Sequence, residues 1–132
     1  MINDQLNNNS TKVLLIDKGD GFNKRLSSVL KDWDMDVLSA SSGRDALNLI
    51  EDELPDLIIL DVILPDVCGY ELCKQLRRNN NTRRIPLIII SILDSEDRKI
   101  EGLESGADDY IVKPCSINEL VARLRAVLRS YH

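Results

Sequence analysis

Residues 57–61 read Leu-Ile-Ile-Leu-Asp, four uninterrupted aliphatic side chains closed by a carboxylate. A run with no apolar–polar alternation suits a strand buried on both faces, as in a parallel sheet covered by helices. The same design recurs on either side. Val13-Leu14-Leu15-Ile16 ends at Asp17, Leu87-Ile88-Ile89-Ile90 ends at Ser91, and Tyr110-Ile111-Val112 ends at Lys113. A weaker strand is expected around Met35 to Ser39, between the first two runs.

The intervening segments carry apolar residues at helical spacing. Phe22, Leu26, Val29, Leu30 and Trp33 form one stripe. Ala46, Leu47, Leu49 and Ile50 form a second, behind a Ser41-Ser42-Gly43 opening. Leu72, Cys73 and Leu76 form a third. The segment from Asp94 to Ser105 is the poorest, with Ile100 and Leu103 expected as its apolar anchors. In the last helix Ser116 and Glu119 make an S-x-x-E capping box ahead of Ile117, Leu120, Val121, Leu124 and Leu128. Five strand–helix units with short connections predict an α/β fold, a doubly wound parallel (βα)5 sheet with right-handed crossovers.

Composition bounds the function. The 132 residues allow one domain. Leu, Ile and Val supply an aliphatic core, and only five residues are aromatic. The 17 basic and 22 acidic side chains leave a net charge of −5, which argues against a duplex-DNA footprint. The single histidine is the terminal His132, so triads, two-His zinc sites and phosphohistidine carriers are excluded, and His132 is assigned no role. Cys68, Cys73 and Cys115 are odd in number and lack zinc-ribbon spacing, which suits reduced thiols. Residues 1–10 have neither a basic nor an apolar signal region and are expected to form a disordered lead. The apolar runs stop at four residues, far short of the ~20 that a membrane span needs. A cytoplasmic location without nucleic-acid or membrane partners is the expectation.

In such sheets ligands bind beyond the carboxyl ends of the strands, at the switch point. That rule gathers Asp17, Asp61, Ser91 and Lys113, successively 44, 30 and 22 residues apart, at one edge. Singly, each has an ordinary reading as a cap, a loop residue or a solvated charge. Together, two carboxylates suit a hard cation such as Mg2+, and an ammonium and a hydroxyl suit phosphoryl oxygens. A carboxylate can itself be the nucleophile, forming an aspartyl phosphate.

At these residues the sequence resembles the receiver domain of two-component response regulators, over residues 11–130. The likeness is carried by VLLID at 13–17, by DVILPDVCG at 61–69 (the D-x-x-L-P-x-x-x-G pattern), by Ile89-Ile90-Ser91, and by GADDYIVKP at 106–114. The stretch ending in GADDYIVKP also resembles, more weakly, receivers attached to diguanylate cyclases. The resemblance implies a flavodoxin-like three-layer sandwich with strand order 2-1-3-4-5. It implies phosphorelay signalling, with Asp61 as phosphoacceptor, Ser91 and Lys113 on the phosphoryl group, and Ser91 and Tyr110 as the switch pair. It also implies Mg2+ held by Asp17, Asp61 and the Ile63 backbone carbonyl, and a cis bond before Pro114. The implied partners are a sensor histidine kinase or phosphotransfer protein, and a second copy through the last two helices. Such a domain is not an enzyme beyond catalysing its own phosphorylation and dephosphorylation.

Two positions depart from that pattern. Lys18 stands where a second metal-binding acid is usual, and its charge is expected to weaken Mg2+ binding, with Asp20 in partial compensation. In a competing arrangement the Lys18 ammonium lies between Asp17 and Asp61 in place of the metal. Ile92 follows Ser91 where a small residue is usual, narrowing access to Asp61. Both support an alternative, an atypical receiver acting by protein contacts with little Mg2+-dependent phosphorylation. Cys115 after Lys113-Pro114 is a milder departure.

A remoter alternative is a flavodoxin-like cofactor binder. Gly19-Asp20-Gly21 opens a G-x-G motif, but Lys24 occupies the third glycine position and no Walker lysine motif is present. The Arg123, Arg125 and Arg129 series on the last helix reads as a solvated face or a contact for an acidic partner. Cys68 reads as an ordinary loop cysteine.

Overall fold

The protein is described from a computed structural model over residues 10–19 and 21–131. The expected lead, save Ser10, lies outside the described residues, as do Asp20 and His132. Five strands alternate with five helices: β1 Lys12–Ile16, α1 Phe22–Asp32, β2 Asp36–Ala40, α2 Gly43–Glu53, β3 Leu57–Asp61, α3 Gly69–Arg78, β4 Leu87–Ser91, α4 Glu96–Glu104, β5 Asp109–Val112 and α5 Ile117–Ser130. All pairings are parallel, in the order β2-β1-β3-β4-β5. The five strand runs and their order agree with the sequence expectation.

The strand period of two explains why uninterrupted aliphatic runs were needed. Leu14 and Ile16 face one core layer with Ile58, Leu60 and Ile89, against Ile50, Leu72 and Leu76 of α2 and α3. Val13 and Leu15 face the other with Ile59, Ile88 and Ile90, against Leu26, Leu30, Leu120 and Leu124 of α1 and α5. Fully burying each such side chain is worth ~1.5–3 kcal/mol, so both faces contribute to one sandwich. At the sheet edge β2 is only partly covered, matching its weaker sequence signal.

Local chemistry sets the helix ends. Ser42, Ser95 and Ser116 accept from the backbone N–H three residues on, capping α2, α4 and α5. Ser116 thus forms its half of the expected capping box, while the Glu119 carboxylate accepts from Arg123 Nε at 3.2 Å. α1 stops one residue short of Trp33. Asp34 takes φ 61°, Asp34 N–H donates to Lys31 O and Met35 N–H to Leu30 O, a Schellman closure made without glycine. Trp33, which its spacing placed in the apolar stripe, is therefore not core. It is 47% exposed, with the Arg125 guanidinium 4.1 Å from its ring centroid.

A second correction concerns α4. Ile100 and Leu103, expected as its anchors, are 45% and 48% exposed. The residue α4 buries is Gly102, and a Cβ there would meet the Tyr110 ring at 2.5 Å. The helix seats through an absent side chain, with the aromatic ring of β5 filling the space.

Candidate functional site

The register brings the strand-end residues together. Asp61 pairs with Ile90 across β3 and β4, and Ser91 with Val112 across β4 and β5. Lys113 N–H donates to Ser91 O at 2.8 Å, and Asp17 N–H to Ala40 O at 3.0 Å, so both are held by strand-like bonds just past β5 and β1. Asp17, Asp61 and Ser91 are buried polar residues at the carboxyl edge.

The Lys113 ammonium lies 3.1 Å from Asp61 Oδ2 and 3.8 Å from Asp17 Oδ2. These three side chains are 10%, 6% and 5% exposed. One buried cation thus sits between two buried carboxylates, a set whose members depend on one another for charge compensation. The remaining oxygens are tied to backbone: Asp61 Oδ1 accepts from Ile63 N–H at 3.1 Å, and Asp17 Oδ1 from Gly19 N–H. Lys113 also lies 5.6 Å from the centroid of the Phe22 ring. The Lys113–Pro114 peptide is cis.

The loop after Asp61 is closed on itself. Gly69 N–H donates to Val62 O at 2.7 Å, and Ile63 bridges to Cys68. A side chain at Gly69 would overlap the Asp61 carbonyl oxygen and stand 2.6 Å from Val62 Cα, so only glycine lets α3 start this close to β3. Asp66 fastens the other flank. Its carboxylate accepts from Gly43 N–H at 2.8 Å and Arg44 N–H at 2.9 Å, capping α2 from another element. Those two backbone donors hold the Asp66 carboxyl below its ordinary range.

Ser91 Oγ is fully buried and accepts from Leu93 N–H at 3.1 Å. Tyr110 is 7% exposed and donates through its hydroxyl to Leu93 O at 2.8 Å. Ser91 and Tyr110 therefore grip the same residue of the β4–α4 loop from two sides. Lys18, by contrast, is exposed and enters no ion pair among the described residues. The position between Asp17 and Asp61 belongs to Lys113, so the arrangement with the Lys18 ammonium in that place is not formed. Ile92 is 63% exposed beside Ser91.

Among the described residues no three His, Cys, Asp or Glu side chains gather as a metal cluster. The structure brings together the Asp17 and Asp61 carboxylates, hard oxygens of the kind Mg2+ takes together with water and phosphate oxygens. All three cysteines are free; burial raises the thiols of Cys73 and Cys115, and Cys68 is exposed at the start of α3. No helix is long and apolar enough to cross a membrane among the described residues.

Sequence reasoning named Asp17, Asp61, Ser91, Tyr110 and Lys113 but gave Asp66, Gly69, Tyr70 and Gly102 no role. For Gly69 the signal was present in the D-x-x-L-P-x-x-x-G spacing. Asp66 carried no such signal, because its partners lie 22 and 23 residues away.

Residues 13–125 match the response regulator receiver domain family. The chain is 44% identical over 117 residues to the phosphate regulon transcriptional regulatory protein PhoB of Pseudomonas aeruginosa, covering 89% of this chain and 51% of that protein. It is 43% identical over 118 residues to the alkaline phosphatase synthesis transcriptional regulatory protein PhoP of Bacillus subtilis, covering 89% and 48%. The chain thus spans about half the length of these curated relatives. Among solved structures it resembles the receiver domain of Francisella response regulator 1452, with TM-score 0.86 and 36% identity over 93% of this chain and 100% of that one. It also resembles the BeF3-activated receiver domain of Klebsiella pneumoniae RstA, with TM-score 0.83 and 35% identity over 90% and 99%.

Proposed function

The chain belongs to the response regulator receiver domain family, and from that premise we propose that Asp61 accepts the phosphoryl group by which this phosphorelay domain carries its signal. The observation that supports this reading is the convergence of Asp61 and Asp17 on Lys113, at 3.1 and 3.8 Å in a buried pocket. A carboxylate oxygen of Asp61 attacks the phosphorus of a phosphohistidine on a partner kinase or phosphotransfer protein. The O–P bond forms as the N–P bond breaks, and the imidazole nitrogen keeps the electron pair. The Ile63 N–H and the Lys113 ammonium fix the Asp61 carboxylate before transfer. Lys113 then follows the negative charge onto the phosphoryl oxygens, and Ser91 Oγ turns from Leu93 N–H to donate to one of them.

Receiver domains of this family generally use Mg2+, and the donors here fit it: Asp17, Asp61 and the Ile63 carbonyl would hold the ion. Bound there, Mg2+ supplies neutralisation of charge on the transferring group. The atypical reading depended on Lys18 and Ile92, and the exposure of Lys18 takes away its main support.

Phosphorylation changes contacts through Ser91 and Tyr110, because both hold Leu93. The exposure of Ile100 and Leu103 on α4 supports pairing with a second copy through α4 and α5. Likeness to relatives named as transcriptional regulatory proteins supports control of transcription as the output. The acceptor assignment is tested by borohydride reduction of the phosphorylated protein, which converts an aspartyl phosphate to homoserine. Peptide mass mapping is expected to place homoserine at position 61; homoserine elsewhere overturns the assignment.

A further inference from the structure

Asp66 lies exposed in the loop that joins β3 to α3. Its carboxylate nevertheless accepts from the Gly43 and Arg44 N–H groups, at 2.8 and 2.9 Å, across more than twenty residues of chain. α2 already has a cap of its own. Ser42 Oγ accepts from Asp45 N–H at 3.1 Å, and Ala46 N–H donates to Ser42 O at 3.0 Å. Arg44 is exposed, so water would serve its N–H in place of a carboxylate. So long a reach calls for an explanation beyond the helix. The loop itself supplies one. A Cβ at Gly43 would overlap Val67 Cγ1, so the missing side chain lets the loop seat on the start of α2. Leu64 and Val67 pack against the core on the same side.

The two ends of this contact lead to the two carboxylates of the site. Asp66 stands three residues past Ile63, whose N–H holds Asp61 Oδ1 at 3.1 Å and which bridges to Cys68 across the loop. Gly43 stands three residues past Ala40, the end of β2, whose carbonyl holds Asp17 N–H at 3.0 Å. The Asp66 carboxylate therefore joins the backbone that backs Asp17 to the backbone that backs Asp61.

We propose that Asp66 is a positioning residue for phosphoryl transfer, its carboxylate locking the β3–α3 loop onto the start of α2 and so fixing the Ile63 N–H against Asp61. This rests on the reading of Asp61 as the acceptor given above. With the lock removed, the loop shifts and the Asp61 carboxylate loses a fixed donor. Its reacting oxygen is then held less often where it meets the phosphorus, which lowers the rate of transfer.

The test compares native protein with Asp66→Ala and Ser42→Ala. Ser42→Ala removes the other cap of α2 and leaves the loop contact in place, so it separates loss of helix stability from loss of positioning. Thermal unfolding, exchange of the Ile63 amide hydrogen without Mg2+, and the rate of phosphorylation by acetyl phosphate at saturating Mg2+ are recorded for each. Both variants melt below the native protein. In Asp66→Ala alone, the Ile63 amide exchanges roughly tenfold faster. That variant alone is also phosphorylated about tenfold more slowly, less than the roughly hundredfold that a 1 Å misplacement can cost, because Gly69 and Cys68 still tie the loop. Asp66→Asn keeps a carbonyl oxygen for Gly43 N–H and falls between the two; it carries the comparison if Asp66→Ala does not fold. Equal slowing in Ser42→Ala and Asp66→Ala makes Asp66 merely a helix cap and overturns the proposal, as does native exchange at Ile63 in Asp66→Ala. Native protein that takes no phosphoryl group at Asp61 overturns the acceptor reading and this proposal together. Native protein that is phosphorylated there, with Asp66→Ala reacting at the same rate, overturns this proposal alone.

Discussion

The Lys113 ammonium sits 3.1 Å from the Asp61 carboxylate and 3.8 Å from that of Asp17, although the three residues come from the ends of three different strands. All three are nearly inaccessible, so the ammonium compensates two buried negative charges at once. Removing one partner of such a set leaves uncompensated buried charge, at about 3–5 kcal/mol. Lys113→Met should lose about that much stability in urea unfolding without Mg2+, and regain part of it when Mg2+ is added. A loss below about 1 kcal/mol would show that the ammonium is not holding the carboxylates together.

Lys18 is expected to bear on metal affinity less than its position in the sequence suggested. Its ammonium is exposed, and exposed charges are well screened. Lys18→Ala is expected to change Mg2+ affinity by less than about threefold. Lys18→Asp, which adds a carboxylate donor next to Asp17, should gain about tenfold or more. Isothermal titration with Mg2+ checks both; a large gain in Lys18→Ala contradicts the screened position.

Gly69 is the tightest point beneath the acceptor. Gly69→Ala forces a methyl group into the Asp61 carbonyl and Val62 Cα, backbone atoms that cannot swing aside. A cost of about 1–3 kcal/mol or more is expected, as for other overpacked sites. Phosphorylation should slow with it, because the Asp61 backbone must shift. A variant of native stability would mean that α3 can retreat freely.

Asp66 gives the fold a defined response to acid. Its carboxyl is held below the ordinary value of 3.8 by the Gly43 and Arg44 N–H groups, the Gly43 bond being the larger cause. A group depressed in the folded state stabilises it above the unfolded pKa and loses that contribution as pH falls through the folded one. Stability of the native protein should therefore drop more steeply than that of Asp66→Asn on acidification below about pH 4. Parallel acid limbs in the two proteins would rule out this contribution.

Much of this was legible in the sequence for a simple reason. Strands covered on both faces need uninterrupted aliphatic runs, and each run here ends at the polar residue that the parallel register then aligns with its neighbours. What was hidden lies in through-space partners and missing atoms. Gly102 carries no side chain, so hydropathy assigned the anchoring of α4 to Ile100 and Leu103, which face solvent. Trp33 fits its stripe by spacing, but α1 closes before it, and Asp34 turns the chain toward β2. Asp66 acts on the first residues of a helix, more than twenty positions earlier in the chain. No local pattern encodes that contact.

The exposed Leu103 on α4 separates signalling from folding. Leu103→Glu should leave unfolding within about 0.5 kcal/mol of native, as for other surface changes. It should also abolish self-association of the phosphorylated protein in sedimentation. Undiminished association would move the pairing surface elsewhere.

Intact mass after incubation with acetyl phosphate and Mg2+ reads whether Asp61 carries the phosphoryl group. The native protein should gain about 80 Da, one HPO3 joined as an acyl phosphate, and Asp61→Asn should gain nothing while melting as a folded domain. An adduct of the same mass on Asp61→Asn, or no adduct on the native protein, would show that Asp61 is not the acceptor.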